Sequence, residues 1–190
     1  KIIENQNIFF GKYKDVNNES IFFQNINNLI MSMNNSSWDN PKSILVDKSI
    51  NRLNIILEQI EIILNSKINY KYFGLNNILK KRNFNHIDYN WGWKDPRNIF
   101  TLPLWLKIFP NAKIIILLRH PYDVINSLML RNEIEKNKVN LNFRQFIPNF
   151  LISLLPINRF SNKISTHLDT FEEGMKLYEE YYLEINKLKL

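Results

Sequence analysis

The hydrophobic positions of the chain recur mostly at steps of three and four residues, the spacing that places apolar side chains on one face of a helix. The clearest example is residues 47–65, where Asp47 is a candidate N-terminal cap. Further helices are predicted at 18–33, 71–82, 98–109, 121–132, 140–155 and 169–190. In the last of these the predicted buried stripe is Phe171, Met175, Tyr178, Tyr182 and Ile185. The pattern therefore predicts a helix-rich protein.

Two segments depart from the helical pattern and are predicted to be strands. Residues 89–94 are aromatic and end in Lys94, and residues 113–118 form a continuous apolar run that Arg119 follows. A run of this kind is typical of a parallel strand that is covered on both faces. The order strand, helix, strand, helix predicts a parallel sheet with crossover connections, so the predicted fold class is α/β.

Composition and charge narrow the classes of partner. The 190 residues are 45% hydrophobic and 23% charged, which is typical of one globular domain. A formal net charge of +7 favours anionic partners, although scattered surface lysines explain it equally well. The basic residues are spread along the chain without a long Lys/Arg block or a nucleic-acid-binding motif, so we predict no nucleic acid partner. No apolar run approaches the roughly 18 residues that a membrane-spanning helix needs.

The cysteine and histidine positions exclude further chemistry. The sequence contains no cysteine, which excludes disulfides, thiolate metal ligands and a thiol nucleophile. This suits a reducing compartment, and we predict a cytoplasmic protein. The three histidines show no metal-ligand spacing, so no metal site is predicted. The chain begins at Lys1 without an initiator Met or a signal-peptide pattern, which predicts a fragment or a processed product.

Cations follow both predicted strands. Lys94 and Arg119 stand where a parallel sheet presents its carboxyl edge, the edge at which ligands bind in open α/β folds. Each also precedes a predicted helix, and helix N-termini favour anions through their free N–H groups. Ser127 lies about two turns into the helix after Arg119. Arg119 and Ser127 are therefore candidates to hold one phosphate, although pairing of Arg119 with Asp123 is the structural alternative.

Three segments in order resemble the bacterial sulfotransferases: they read WGWKDPR at 91–97, FPNAK at 109–113 and LRHPYDVINS at 118–127. The resemblance implies a P-loop NTPase-like, three-layer α/β/α fold with a parallel sheet. It also implies the sulfate donor 3′-phosphoadenosine 5′-phosphosulfate, with Arg119 and Ser127 holding its 3′-phosphate. By the same resemblance Lys94 lies beside the transferred sulfate.

Two features of that family have no counterpart in the sequence. The Gly- and Ser/Thr-rich loop that holds the 5′-phosphosulfate is expected before residue 1, and a later strand is expected beyond the last residue. We therefore predict a single sulfotransferase-like domain over residues 1–190, truncated at both ends. The exposed edges of a truncated sheet predict self-association into a homo-oligomer.

The general base is the least determined part of the predicted site. In the cytosolic relatives a His stands two residues after the strand-end Lys, and Pro96 occupies that position here. Asp95 is the catalytic candidate, with His86 and a carboxylate in the missing part of the protein as alternatives. Asp95 also suits a structural role, as a helix cap or an ion-pair partner of Arg97.

The predicted reaction is transfer of a sulfuryl group to a hydroxyl or amine of an acceptor, which is a small molecule, a glycan or a lipid. No metal is required for it. One alternative is a P-loop-type small-molecule or nucleotide kinase, which should show GxxxxGK[ST] and carboxylates for Mg²⁺; neither is visible. The other alternative is a non-catalytic helical interaction module, which the high helical content supports.

Overall fold

The computed structural model describes residues 7–42, 50–76, 83–84, 87–142 and 164–188. Within these ranges the helices are α1 (Ile21–Ser32), α2 (Ile50–Asn65), α3 (Tyr70–Phe73), α4 (Asn98–Ile108), α5 (Pro121–Asn142) and α6 (Phe171–Lys187), and a 3₁₀ turn (Lys67–Asn69) precedes α3. Internal contacts divide the chain into two compact units, Lys1–Ile114 and Ile115–Leu190. The first unit contains α1 to α4, and the second contains α5 and α6.

Most of the helix predictions are confirmed. The helices predicted at 18–33, 47–65, 98–109 and 169–190 are α1, α2, α4 and α6, with ends that differ by a few residues. The helix predicted at 121–132 is α5, which extends to Asn142. Of the helix predicted at 71–82, residues 71–73 belong to the single turn α3, whose C-terminal cap is Gly74 with a φ of 96°. Asp47, residues 77–82 and most of 140–155 lie outside the described residues.

The first unit is organised around an aromatic core. Helix α1 buries Phe22, Phe23, Ile26 and Ile30, and it packs against α3 and α4. The same core takes in apolar side chains of α2, namely Ile56, Ile60 and Leu64. Burial of each such side chain contributes about 1.5–3 kcal/mol, which is why the three-and-four pattern of apolar residues determines these helices.

A single parallel bridge links Phe9 with Trp91. The Phe9 N–H donates to the Asn90 carbonyl at 2.8 Å, and the Gly92 N–H donates to the Phe9 carbonyl at 3.0 Å. The Tyr72 hydroxyl lies 3.0 Å from the carbonyl oxygen of Phe9 and 2.7 Å from that of Gly92. Burial raises the pKa of Tyr72 above its usual value, so the hydroxyl remains a donor. This bridge fixes the start of the segment that carries Lys94.

The strand predicted at 113–118 is not formed in the described part of the chain. Residues 112–120 have no regular secondary structure, and the side chains of Ile114 to Leu118 are between 36% and 75% exposed. A parallel strand requires neighbouring strands for its hydrogen bonds, and no described residue pairs with this run. The helix-rich character is confirmed, whereas the parallel sheet and the three layers are not shown by the described residues.

In the second unit α6 packs closely against α5 at Gly174 of α6. A Cβ added at Gly174 would lie 2.5 Å from Cγ2 of the buried Ile125. The buried residues of α6 are consequently Gly174, Leu177 and Glu184. The stripe predicted from the aromatic spacing is wrong at two of its five positions, because Phe171 is 42% exposed and Tyr182 is 44% exposed. The other three, Met175, Tyr178 and Ile185, are partly buried. The close approach at Gly174 rotates a different face of the helix inward.

Candidate functional site

Lys94 lies at the surface of the first unit, three residues after the bridged Trp91. Its side chain is half exposed, and its Nζ donates to the Asn17 carbonyl at 2.9 Å. The same Nζ lies 3.8 Å from Oε1 of Glu19. The loop before α1 therefore positions this ammonium group, while its exposure leaves part of it open to a ligand.

Asp95 is bound in the interior next to that lysine. Its side chain has no exposed surface, and its Oδ1 accepts from the backbone N–H of Arg97 at 3.0 Å and from Arg97 Nε at 2.8 Å. Its Oδ2 accepts from Asn27 Nδ2 at 2.9 Å. These contacts favour the structural interpretation, in which Asp95 pairs with Arg97 ahead of α4. Both oxygens already have donors, so the carboxylate orients its neighbours.

Arg97 joins two carboxylates that are far apart in the sequence. Besides Asp95, its guanidinium reaches Glu19, where Nη2 donates to Oε2 at 3.1 Å. Nη1 donates to the side-chain oxygen of Asn28 at 3.1 Å. Only 11% of the Arg97 side chain is exposed, so its guanidinium group is held in the interior by charge-assisted hydrogen bonds. This arginine ties the Lys94 segment to the start of α1.

Glu19 is the functional candidate that the sequence did not indicate. Its side chain is 8% exposed, and its Oε2 accepts from Arg97 and from Gln24 Nε2, the latter at 3.1 Å. Its Oε1 faces Lys94 and accepts no hydrogen bond from any described residue. Burial raises the pKa of the Glu19 carboxyl above its usual value, and the Asp95 carboxylate raises it further, while Arg97 opposes both. Nothing in the spacing links Glu19 to Lys94, because 75 residues separate them.

The buried side-chain amide of Asn27 binds the charged group of Asp95 from the interior. Asn27 of α1 is fully buried and uses both ends of its side chain. Its Nδ2 donates to Asp95 Oδ2 and, at 2.8 Å, to Asn98 Oδ1. Its Oδ1 accepts hydrogen bonds from Thr101 Oγ1 and Trp105 Nε1, each at 2.8 Å. Residues Glu19, Asn27, Asp95 and Arg97 are called the polar cluster below. Because its members are fully hydrogen-bonded or ion-paired, the cluster fixes the backbone from which Lys94 projects.

Arg119 and Ser127 belong to the second unit. Both are exposed, and neither side chain forms a hydrogen bond or an ion pair with a described residue. The expected alternative, an ion pair of Arg119 with Asp123, is not among the contacts in this part of the chain. The backbone of Arg119 is held instead, because the Tyr178 hydroxyl of α6 donates to its carbonyl at 3.0 Å. An unpaired guanidinium and an unpaired hydroxyl are donors of the kind that a phosphate accepts.

The helix after Arg119 begins as predicted. Pro121 is its first residue, and the His120 carbonyl accepts the Val124 N–H at 3.2 Å. Asp123 lies in the first turn, where a carboxylate suits the positive end of the helix. Ser127 is the seventh residue of α5, about 9 Å along the axis from its start at the usual rise per residue.

The chain matches the protein-family model described as the sulfotransferase family over residues 11–149. These residues make up well over half of the chain. The chain belongs to the sulfotransferase family. The match supports a transferase that carries out sulfuryl transfer, and it favours this reaction over the kinase and over the non-catalytic module. Comparisons with curated proteins and with solved structures give no match.

The matched region of this sulfotransferase contains all the site residues discussed above. Lys94 and Asp95 lie together with Glu19 in the first unit, whereas Arg119 and Ser127 lie in the second. His86, the other base candidate from the sequence, lies outside the described residues. In the described ranges no group of three or more His, Asp or Glu side chains is arranged to hold a metal ion. None of the described helices combines the length and apolarity needed to cross a membrane.

Proposed function

We propose that this sulfotransferase transfers a sulfuryl group from 3′-phosphoadenosine 5′-phosphosulfate to a hydroxyl or amine of an acceptor. The observation that carries the proposal is the pair Arg119 and Ser127, which keep unpaired donors at the surface within the family-matched region. The 3′-phosphate of the donor is a doubly charged acceptor group, and an arginine fork with a hydroxyl suits it. The donor supplies the sulfuryl group, and the protein supplies position and charge.

Lys94 has the role of charge stabilisation in this proposal. Sulfuryl transfer resembles phosphoryl transfer, because negative charge spreads over the transferred group and the leaving phosphate. The ammonium group of Lys94 is held by the Asn17 carbonyl and by Glu19, and it is half exposed. It therefore stabilises this negative charge without having to reorient. Asp95 is proposed as a positioning residue, since its contact with Arg97 fixes the segment that carries Lys94. No metal is needed for this chemistry.

The acceptor is a small molecule, a glycan or a lipid under this proposal. The exposed part of Lys94 marks where the acceptor oxygen or nitrogen meets the sulfuryl group. A single domain over residues 1–190 is also part of the proposal, as is the three-layer parallel sheet. The parallel bridge between Phe9 and Trp91 supports the sheet, since it lies at the predicted strand 89–94.

Isothermal titration with adenosine 3′,5′-bisphosphate, with AMP as the reference nucleotide, tests the phosphate-binding role. We expect Arg119→Ala to weaken binding of the bisphosphate at least tenfold, since a charge-assisted bond contributes about 1.5–3 kcal/mol. Binding of AMP should change little, because AMP has no 3′-phosphate. Ser127→Ala should show the same selectivity with a smaller loss.

Lys176→Ala is the matched control, because it removes one exposed cation from α6 in the same unit. Its affinity for the bisphosphate should stay within about threefold of the wild type, since surface charges act weakly at ordinary ionic strength. Equal losses for bisphosphate and AMP in Arg119→Ala would contradict the 3′-phosphate assignment. Absence of bisphosphate binding by the full-length wild-type protein would contradict the proposed donor.

A further inference from the structure

We infer that Glu19 is the proton acceptor of the sulfuryl-transfer reaction, taking the proton from the acceptor hydroxyl through its Oε1. The inference rests on the proposed function. For the role of general base, the sequence offered Asp95, His86 and a carboxylate beyond the chain as candidates. Within the described residues Glu19 is the carboxylate that faces the Nζ of Lys94.

The two oxygens of Glu19 have different surroundings. Oε2 is fixed by Arg97 Nη2 and Gln24 Nε2, each at 3.1 Å, and this sets the plane of the carboxylate. Oε1 points toward Lys94 at 3.8 Å, beyond hydrogen-bond distance, and accepts no other bond from a described residue. A general base needs one free lone pair and a fixed orientation, and this carboxylate provides both.

Lys94 and Glu19 together define where the acceptor oxygen should lie. If Lys94 stabilises the charge of the sulfuryl group, the attacking oxygen comes to rest beside that group and therefore beside Oε1. Asp95 cannot take this role in the same geometry, because its side chain has no exposed surface and both its oxygens have donors. The exposed half of the Lys94 side chain marks the open side of the pair.

The charges around Glu19 and its burial favour the protonated form of the carboxyl. Asp15 and Asp95 face it as carboxylates, and Lys94 and Arg97 face it as cations. Burial and the two carboxylates raise the pKa of Glu19, and the two cations lower it, with a raised pKa as the result. A carboxylate whose pKa is raised is a stronger base than an exposed glutamate.

The step balances without any further reactant. The O–H bond of the acceptor breaks, and its proton moves to Oε1 of Glu19. The acceptor oxygen forms a bond to sulfur, and the bond between sulfur and the bridging oxygen of the donor breaks. That electron pair leaves on the 5′-phosphate of adenosine 3′,5′-bisphosphate, and Glu19 then returns its proton to water.

The experiment compares three nucleophiles as acceptors. 4-Nitrophenol is ionised at the assay pH, whereas phenol and water are not. Release of adenosine 3′,5′-bisphosphate from the donor by the full-length protein is measured. Glu19→Gln is the variant, because its side chain keeps the shape of the carboxylate and an oxygen for Arg97. A proton acceptor is needed for phenol and for water, but not for a phenolate.

We expect Glu19→Gln to lower kcat for phenol and for water by about 10²- to 10⁴-fold, the usual contribution of general base catalysis. The rate with 4-nitrophenolate should fall less than tenfold, and calorimetry should give unchanged affinity for adenosine 3′,5′-bisphosphate. With phenol we expect kcat/KM of the wild type to fall toward low pH, and this fall should be absent in the variant. Glu58→Gln, which removes an exposed carboxylate from α2 in the same unit, should keep the wild-type ratio between the two phenols.

Equal losses for both phenols would overturn the inference, since Glu19 would then act only as an ion-pair partner of Arg97. Unchanged rates in the variant would overturn it as well. A wild-type protein that binds no bisphosphate and releases none with water or either phenol would overturn the proposed function itself, and this inference with it.

Discussion

Gly174 of α6 lies so close to Ile125 of α5 that a Cβ at position 174 would stand 2.5 Å from Cγ2 and 3.5 Å from Cβ of the isoleucine. Ile125 is completely buried, and a β-branched side chain has little freedom to rotate away. The two helices of the second unit therefore meet through a glycine inside a helix, where glycine is otherwise unfavourable. The contact also explains why the aromatic residues of α6 are not its buried stripe.

Gly174→Ala should destabilise the second unit. Alanine favours the helix by about 1 kcal/mol, but overpacking against a fixed neighbour costs about 1–3 kcal/mol. We expect a net loss of up to about 2 kcal/mol in the free energy of unfolding, measured by urea denaturation followed by circular dichroism. Lys176→Ala on the exposed side of α6 should stay within about 0.5 kcal/mol of the wild type. A more stable Gly174→Ala protein would mean that α5 and α6 do not approach so closely.

Asn27→Ala should be one of the most destabilising changes in the first unit. It removes the donor to Asp95 Oδ2 and the acceptor of Trp105 Nε1 in the interior, while Thr101 keeps the Arg97 carbonyl as its acceptor. Each buried group left without a partner costs about 1–3 kcal/mol, so we expect a loss of about 2–6 kcal/mol in urea denaturation, together with weaker turnover, since the Lys94 segment loses its support. Asn25→Ala on the exposed side of the same helix is the matched control. A similar small effect of both substitutions would show that the polar cluster is not formed.

Glu19 should make the stability of the protein depend on pH. Burial raises its pKa in the folded state above the usual value of 4.5, so the folded protein binds the proton more tightly than the unfolded chain. The stabilising contribution is thus complete below the unfolded pKa and is lost as the pH rises through the folded pKa. The free energy of unfolding of the wild type relative to Glu19→Gln should therefore fall as the pH rises from below the unfolded pKa through the raised folded pKa.

Urea denaturation at a series of pH values measures this difference directly. Glu172→Gln is the control, because Glu172 is 80% exposed and pairs only with Lys176 on the surface of α6. Its difference from the wild type should be nearly flat over the same range. A wild-type protein that gains stability over Glu19→Gln as the pH rises would show that Arg97 and Lys94 outweigh burial at this carboxylate.

The sequence predicted the helices well because their apolar residues carry a local signal. In α1, for example, Phe22, Ile26 and Ile30 follow one another at four-residue steps and are all buried. The start of α5 was predictable for a similar reason, since Pro121 at the first helical position is a local preference. The apolar run at 113–118 carries an equally strong local pattern, but a strand also needs partners, and such partners cannot be deduced from the run itself.

The sequence indicated candidate site residues only where a family motif covers them. Lys94, Arg119 and Ser127 stand in segments that resemble the sulfotransferases, and the family match is confirmed over residues 11–149. Glu19 and Asn27 were missed because their partners are distant: 78 residues separate Glu19 from Arg97, and 68 separate Asn27 from Asp95. Hydrogen bonds at such separations depend on the packing of α1 against α4, which no local pattern indicates.

The aromatic core of the first unit has a spectroscopic consequence. All four tryptophans of the sequence (Trp38, Trp91, Trp93 and Trp105) precede residue 115, and the second unit has tyrosine as its largest chromophore. Trp93 stacks on Phe23 with ring centroids 4.0 Å apart and packs edge to face on Trp105 at 5.0 Å. Tryptophan emission excited at the red edge therefore follows unfolding around Lys94 and Glu19 alone, while far-ultraviolet ellipticity also includes α5 and α6. Tryptophan fluorescence and ellipticity of one unlabelled sample thus distinguish unfolding of the first unit, which contains Lys94, from unfolding of the second, which contains Arg119.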